Sequence, residues 1–471
     1  MGYYTQFEDH NNPGRTAHLF EDVAGENFGV DFGTRPSDEA GIKRTLAPDP
    51  GSFSDKELLF WAFTHSHDDH AGAAPMLCRE RPEIPYFATR TCFEAMKVKF
   101  DDALGIQKNE ARRFGFAPLY SKEDKDRFLK AVTVVEYPRW IRNKHLPGWA
   151  IGFYGNGHIP GSAMILVKSP EKNILITGDC GNGEPLVSGA LLPPDSFLKE
   201  ENFFEDAKEK GGLVVVSEGT NGNREVANQK EEKKKLHALA REVGVDGGIL
   251  LTTAFSEARA AVVALNLLEG SPDWTVHIDG LSREFLRFYM RQESVWSDNA
   301  EDFERPERLR RLVDEGRIVF MKDANHREAF LNGGCCGGGP RILVSSSADI
   351  SRGCSALYSS EVLSDKNSVV AFTGHVFPGS ANDLALKTAR GRTFEFGHLR
   401  SRLFARVVSL DFSAHDGKSR LADRVVAPGV TSVAILHHGS DEALASLKQE
   451  VEGRSNPPRV EIPRNLRKVR I

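Results

Sequence analysis

Six consecutive residues, His65-Ser66-His67-Asp68-Asp69-His70, constrain this chain more than any other feature. They follow a segment that reads as a strand. In an extended segment His65 and His67 are alternate residues and project to the same side. Asp69 and His70 follow where a turn into a helix re-aims them. Three imidazoles and a carboxylate in so short a stretch suit zinc, a borderline ion that takes nitrogen donors with an oxygen partner. A lone histidine is usually a satisfied core or surface residue. A cluster this dense at a strand end is hard to explain as solvated surface.

A centre of that kind needs a scaffold, and the chain is long enough to supply one. At about 100–200 residues per domain, 471 residues predict two or three units. Hydrophobic residues make up 40% and charged residues 27%, which excludes wholesale disorder. No apolar run approaches the ~18 residues of a membrane span, and no basic-then-apolar leader opens the chain. The six cysteines (78, 92, 180, 335, 336 and 354) form no C-x-x-C pair or regular spacing. A disulfide framework and a zinc ribbon are therefore not expected, and a reducing cytoplasm fits. A net charge of −5 excludes a generally basic nucleic-acid coat protein, so any nucleic-acid contact must be a local groove.

The pattern is α/β throughout. Short apolar runs stop at polar residues: Ile174 to Ile176 before Asp179, Leu213 to Val216 before Glu218, Val433 to Leu436 before His437 and His438. These read as buried strands, and function in open α/β sheets gathers at strand ends. Leu236, Leu239, Ala240 and Val243 share one helical face. A strand over 247–254 follows, and Ser256 is expected to cap a helix from Glu257 to Leu268. Strand–helix alternation continues to about residue 390, which makes the middle block an α/β domain of its own. The Asn332–Gly339 stretch, with vicinal Cys335 and Cys336, is too glycine-rich for an element and reads as a flexible surface loop.

The motif His-x-His-x-Asp-His resembles the signature of the metallo-β-lactamase superfamily, and the rest of that pattern follows in order. Val30-Asp31-Phe32-Gly33 resembles its first motif, whose aspartate supports the metal loop from behind. Gly157-His158-Ile159-Pro160-Gly161-Ser162-Ala163 resembles the loop with the next histidine ligand, and Thr177-Gly178-Asp179 the turn with a metal-bridging aspartate. The resemblance narrows to the β-CASP nucleases, which include the mRNA 3′-end cleavage factor and RNase J. Ser217 to Gly222 looks like their motif A stretch, Phe255 to Arg259 like their F-A-x-G-R helix start. Phe412-Ser413-Ala414-His415 matches motif B, and His438-Gly439 matches motif C. Departures fall in the substrate-handling half: Gly219, Asn221 and Ala258 replace the usual residues. Ser346 to Asp349 stand in for a serine–glycine–methionine loop, and Gly379-Ser380 keeps part of a G-T helix start.

The resemblance implies a metallo-β-lactamase αββα sandwich from residues 1–222 and 393–471, with an α/β β-CASP domain, 223–392, inserted between. It implies two zinc ions: His65, His67 and His158 on one, Asp69, His70 and His438 on the other, Asp179 bridging. A shared hydroxide would attack an RNA phosphodiester, endonucleolytically or 5′-3′ exonucleolytically. Asp69, His415 and Glu218 form the implied catalytic set. His415 would protonate the leaving oxygen or steady the phosphate, and Glu218 would orient it. Arg259 and Ser380 are the expected substrate contacts, and His437 is expected to be structural. No KH-like segment is expected ahead of the nuclease, nor an RNase J-like domain after it.

Bland readings stand beside these. Glu218 could cap the turn after its strand, His415 could sit in the first turn of a helix, and Arg259 could be an exposed helix arginine. Arginines 390, 392, 400, 402 and 406 read equally as a basic cleft edge or a solvated strand face. Lys230 to Lys235 reads as a wet helix face. The expected partner is single-stranded RNA, with no membrane; a homodimer is left open. Three other functions compete: a DNA nuclease of the Artemis type, a small-molecule hydrolase such as a lactonase or thioesterase, and a non-catalytic scaffold. The first usually carries valine where this chain has His438. The inserted domain and His415 disfavour the second, and the full ligand set disfavours the third.

Overall fold

The computed structural model describes the chain except residues 1, 8–13, 23–24, 40–41, 143–146, 182–183, 188, 292–304 and 335–338. Cys335 and Cys336, with the two glycines after them, lie outside the described residues. Among the described residues, two seven-stranded sheets pack face to face. One runs, strand by strand, Lys468–Arg470, Tyr3–Gln6, Ala17–Glu21, Asn27–Phe32, Leu58–Ala62, Tyr86–Thr89, Val132–Val135. The other runs Arg459–Glu461, Thr431–His437, Leu213–Glu218, Asn173–Ile176, Ala163–Lys168, Ala150–Gly155, Arg139–Arg142.

Alternation within single strands explains the layering. Val214 and Val216 face the core between the sheets with Phe28, Phe60, Ile165 and Ile435. Leu213 and Val215 face the opposite way, under helices that contribute Leu421 and Leu447. Both faces of such a strand are buried, so it reads as an unbroken apolar run. The outer face of the first sheet buries Trp61 and Phe63 against Leu77, Phe100 and Phe128 from helices. The result is helix, sheet, sheet, helix, the αββα arrangement expected.

The third sheet belongs to the middle block. Its six strands lie in the order Ile318–Phe320, Val276–Asp279, Arg341–Ser345, Ile249–Thr253, Val369–Phe372, Arg406–Ser409, with every pairing parallel. Helices cover both faces. The block leaves the core after Leu213–Glu218; the chain is back on the core by His415 and the helix Lys418–Val426, and the next core strand, Thr431–His437, is the parallel neighbour of Leu213–Glu218. Arg406–Ser409 still pairs within the block's sheet, so the expected return at 393 falls ahead of strands that stay with the block. The reason is that Val407 and Val408 complete that sheet's edge, whereas the arginine-rich spacing suggests a surface strand.

Local predictions meet the structure unevenly. Leu236, Leu239, Ala240 and Val243 are the buried face of the helix Gln229–Asp246. Lys233, Lys234 and Lys235 pair with Glu269, Glu231 and Glu232, a solvated face. The hairpin arginines are also locally engaged: Arg406 with Glu242, Arg400 with Glu395, Arg390 with backbone carbonyls. The helix expected from Glu257 begins instead at Arg259, and its preceding residue is Ala258, at φ 59°. Ser256 caps nothing there; residues 256–258 form a turn.

Strand carboxyl ends from both sheets meet along one edge, where the metal loop sits. Gly33, just past Asn27–Phe32, abuts that loop: a Cβ on it would fall 1.7 Å from the Asp69 carbonyl oxygen. That carbonyl accepts a hydrogen bond from Thr16 N at 2.8 Å, and the Asp68 carbonyl one from Thr34 N at 2.6 Å. Gly33→Ala should therefore lower unfolding stability by about 1–3 kcal/mol, the usual cost of overpacking. A urea midpoint matching the parent's would show that the loop can step aside.

Candidate metal centre

The loop 64–70 is braced from behind by Asp31. Its Oδ1 accepts from Thr64 N at 2.8 Å and its Oδ2 from Thr64 Oγ1 at 2.7 Å. The same Oδ2 lies 2.8 Å from His70 Nδ1, so His70 turns Nε2 outward. Asp31 itself sits at φ 60°, a conformation most side chains avoid, and the Asp31 carbonyl accepts from the Trp61 indole at 3.1 Å.

A second loop delivers His158. Asn156 ties it together: its amide donates to the Thr177 carbonyl at 2.9 Å, and its Oδ1 accepts from His158 N and Ser162 Oγ. His158 Nδ1 donates to the Ala414 carbonyl at 3.3 Å, which leaves Nε2 as the free donor atom. Asp179 follows the strand Asn173–Ile176, and His438 follows Thr431–His437 at φ 53°. His437, one residue earlier, projects away against the His18 ring, centroids 4.4 Å apart.

These elements bring His65, His67, His158 and Asp179 into one cluster, and Asp69, His70 and His438 into another beside it. His67 Nδ1 is 3.1 Å from His65 Nε2 and 3.2 Å from His158 Nε2. Asp179 Oδ2 stands 3.6 and 3.7 Å from the latter two atoms. Tetrahedral zinc with bonds of ~2.0–2.1 Å separates its ligand atoms by about 3.3–3.4 Å, so the spacing suits that ion. In the second cluster His438 Nε2 is 3.1 Å from Asp69 Oδ2, and Asp179 Oδ1 is 3.3 Å from His70 Nε2. Those last two atoms are buried and make no hydrogen bond among the described residues. A cation shared with Asp69 and His438 would satisfy both.

The electrostatics agree with that fit. Burial, reinforced by His70, holds the His65 ring well below its usual range; burial and His158 do the same for His67. His158 is brought down to about 4 by burial and the neighbouring His415. These rings are thus neutral, the form that binds metal. Burial opposes ionisation of Asp69 and Asp179. The hydrogen bond and charge of His438 nevertheless keep Asp69 low, and His438 and His70 keep Asp179 well below the carboxylate range. His70 goes the other way: against burial, Asp179 and Asp31 hold it well above the usual histidine value.

Beside the clusters, Glu218 ends the strand Leu213–Glu218 and is fully buried. Both its oxygens lie 2.9 Å from His415 Nδ1, and it also accepts from Cys180 N and Thr220 N. Burial opposes the charge on each; His415 nonetheless pulls the Glu218 carboxyl down, and Glu218 with Asp179 pushes His415 up. The His415 ring lies 4.7 Å from that of His158. Of the two expected substrate contacts, Arg259 opens the helix Arg259–Leu268, half-buried, its guanidinium facing the charge of Asp411 and brought down to about 10 by burial. Ser380 is occupied as the cap of Ala381–Lys387, accepting from Asp383 N, and no hydrogen bond joins it to the clusters among the described residues. Sequence reading did not single out Thr220, which meets both His438 Nδ1 and its carbonyl. Glu257 figures in the sequence only as an expected helix start and as a member of its motif.

Residues 25–278 match the metallo-beta-lactamase superfamily. A ribonuclease of Thermus thermophilus is 26% identical over 84% of this chain and 85% of its own. An RNase of Saccharolobus solfataricus is 27% identical over 90% of this chain and 77% of its own. A crystal structure of a protein of unknown function from Enterococcus faecalis shares the fold, with a TM-score of 0.52 over 100% of both chains at 13% identity. The superfamily signature is carried by residues that converge in space, and the chain belongs to the metallo-beta-lactamase superfamily, in its β-CASP branch.

Proposed function

We propose that the chain is a zinc-dependent ribonuclease that hydrolyses RNA phosphodiester bonds, endonucleolytically, 5′-3′ exonucleolytically or both. The observation that carries this reading is the His415–Glu218 pair, set against the His158 ring; His415 belongs to no ligand cluster among the described residues, and Glu218 stands only in a third group with Asp179 and His438. Similarity to proteins named as ribonucleases supports it.

His65, His67, His158 and Asp179 would hold one ion; Asp69, His70 and His438 would hold the other, with Asp179 Oδ1 standing 3.3 Å from His70 and 3.4 Å from His438 to join them. When bound, two zinc ions supply Lewis-acid stabilisation of charge on the phosphate and a source of nucleophile at neutral pH. The remaining work belongs to the protein. Glu218, kept ionised, accepts the Nδ1 proton of His415 and so fixes the ring's tautomer and direction. His415 Nε2 makes no hydrogen bond among the described residues and is free to hold a proton for the leaving ribose oxygen. Arg259, in the first turn of its helix and beside the charge of Asp411, offers a guanidinium for a phosphate. His375, which feels the His415 charge, lies 4.6 Å from the Phe377 ring; Phe377 is 60% exposed, and Phe255, 47% exposed, lies against Gly374 next to His375. Exposed aromatic faces suit the unstacked bases of a single strand.

Purified protein incubated with 5′- and 3′-labelled RNA should cleave it, and chelator should stop the reaction. Cleavage of matched DNA but not RNA would overturn the substrate. Zinc content should approach two ions per chain and collapse in Asp179→Ala, which removes the ligand common to both clusters. His415→Ala should keep its zinc while turnover falls by ~10²–10⁴-fold, the range for a lost general acid. Glu218→Gln should fall less, and the double variant little further, since the pair acts as a unit. Loss of zinc in His415→Ala would make His415 a ligand instead.

A further inference from the structure

Five imidazoles line the two clusters, and four of them are steered through a second contact. Thr64 Oγ1 meets His65 Nδ1 at 3.0 Å, Asp31 holds His70, the Ala414 carbonyl holds His158, and Thr220 Oγ1 meets His438. His67 has no such partner: its only hydrogen-bond contacts among the described residues run from Nδ1 to His65 and His158, inside the cluster. Ligating histidines ordinarily depend on an outer contact to fix the ring. Something else must place His67.

The residue before it supplies the hold. Ser66, between His65 and His67, is buried, and its hydroxyl donates to Glu257 Oε1, 191 residues away in the middle block. Glu257 is 3% exposed. It turns inward because the helix begins at Arg259 and Ala258 adopts φ 59°, ψ −53°, a strained conformation for a residue with a Cβ. Its Oε2 is buried and makes no hydrogen bond among the described residues. Burying a carboxyl half-satisfied is costly. Burial raises the Glu257 carboxyl to about 7, with Lys99 and the Ser66 hydroxyl pulling the other way. Lys99 lies in the helix Arg90–Phe114 and pairs with Asp68 at 2.7 Å. That helix packs on the middle block: Ala95 and the loop residue Ile159 share one apolar cluster with Ala258, Ala261, Phe285 and Tyr289. The hydrogen bond therefore crosses the seam between core and block, at the backbone that carries His65 and His67.

We propose that Glu257 is a positioning residue: through Ser66 it places the His67 ring, so that seating of the middle block sets metal affinity at the His65–His67–His158 cluster. This rests on the metal-centre reading above. Full-length parent, Ser66→Ala, Glu257→Ala, Glu257→Gln and the double alanine variant would each be titrated with zinc against a chromophoric chelator. Glu257→Ala and Ser66→Ala should bind one of the two ions ~10–100-fold more weakly, the usual effect of losing an outer contact. Glu257→Gln, which keeps an accepting oxygen, should stay within a few-fold of the parent. The double variant should resemble either single one, since both remove the same bond. Ser66→Ala removes one oxygen and Glu257→Gln is isosteric, so these arms remain readable if Glu257→Ala folds poorly. Parent-like affinity in Ser66→Ala, or losses in Glu257→Gln as large as in Ser66→Ala, overturns the positioning role. A parent that binds no zinc overturns the metal centre itself, and the role with it.

Discussion

A buried carboxylate that pairs with no lysine or arginine among the described residues governs this molecule. Asp179 is 1% exposed, and His70, His438, His65 and His158 stand 3.3 to 3.7 Å from its oxygens. An isolated buried charge costs several kcal/mol. Imidazoles offset it only when protonated, and several charged rings so close repel one another. A divalent cation resolves the conflict, because it accepts neutral rings and neutralises carboxylates together. The surrounding structure is arranged for that outcome: Asp31 grips the loop from behind, Asn156 braces the next loop, and Gly33 lets backbone approach where a side chain would collide.

The fold was largely legible because its strands are buried on both faces and so appear as apolar runs with abrupt ends. Ile174–Ile176, Leu213–Val216 and Val433–Leu436 are each recovered as neighbours in one sheet. The residues named as ligands were legible through their type and order, and the structure gathers them. What stayed hidden was long-range or conformational. Nothing local distinguishes Glu257 from a helix's first-turn acid. Only the turn at Ala258 and the contact with Ser66 reveal where it points. Arg406–Ser409 looks like a charged surface strand, yet Val407 and Val408 complete the parallel sheet.

The clustered residues are drawn from the ends of both core sheets, so the centre is a property of their assembly. Glu218 closes the last core strand before the block, and His438 follows the first core strand after it. The charge balance around His415 likewise needs residues from 179, 218 and 415 at once.

The placement of the block between two adjacent parallel strands has a consequence for the order of assembly. Leu213 and Ser432 touch across that pairing although 219 residues separate them. Contacts so distant in sequence form late, because loop closure must precede any reward from pairing. A block that folds first shortens the effective loop, since its entry and exit are then held close together. The strands 213–218 and 431–437 would zip up only afterwards, bringing Glu218 and His438 to the edge where Asp179 waits. On that route the end of the molecule that carries the clustered residues is the last part to be completed.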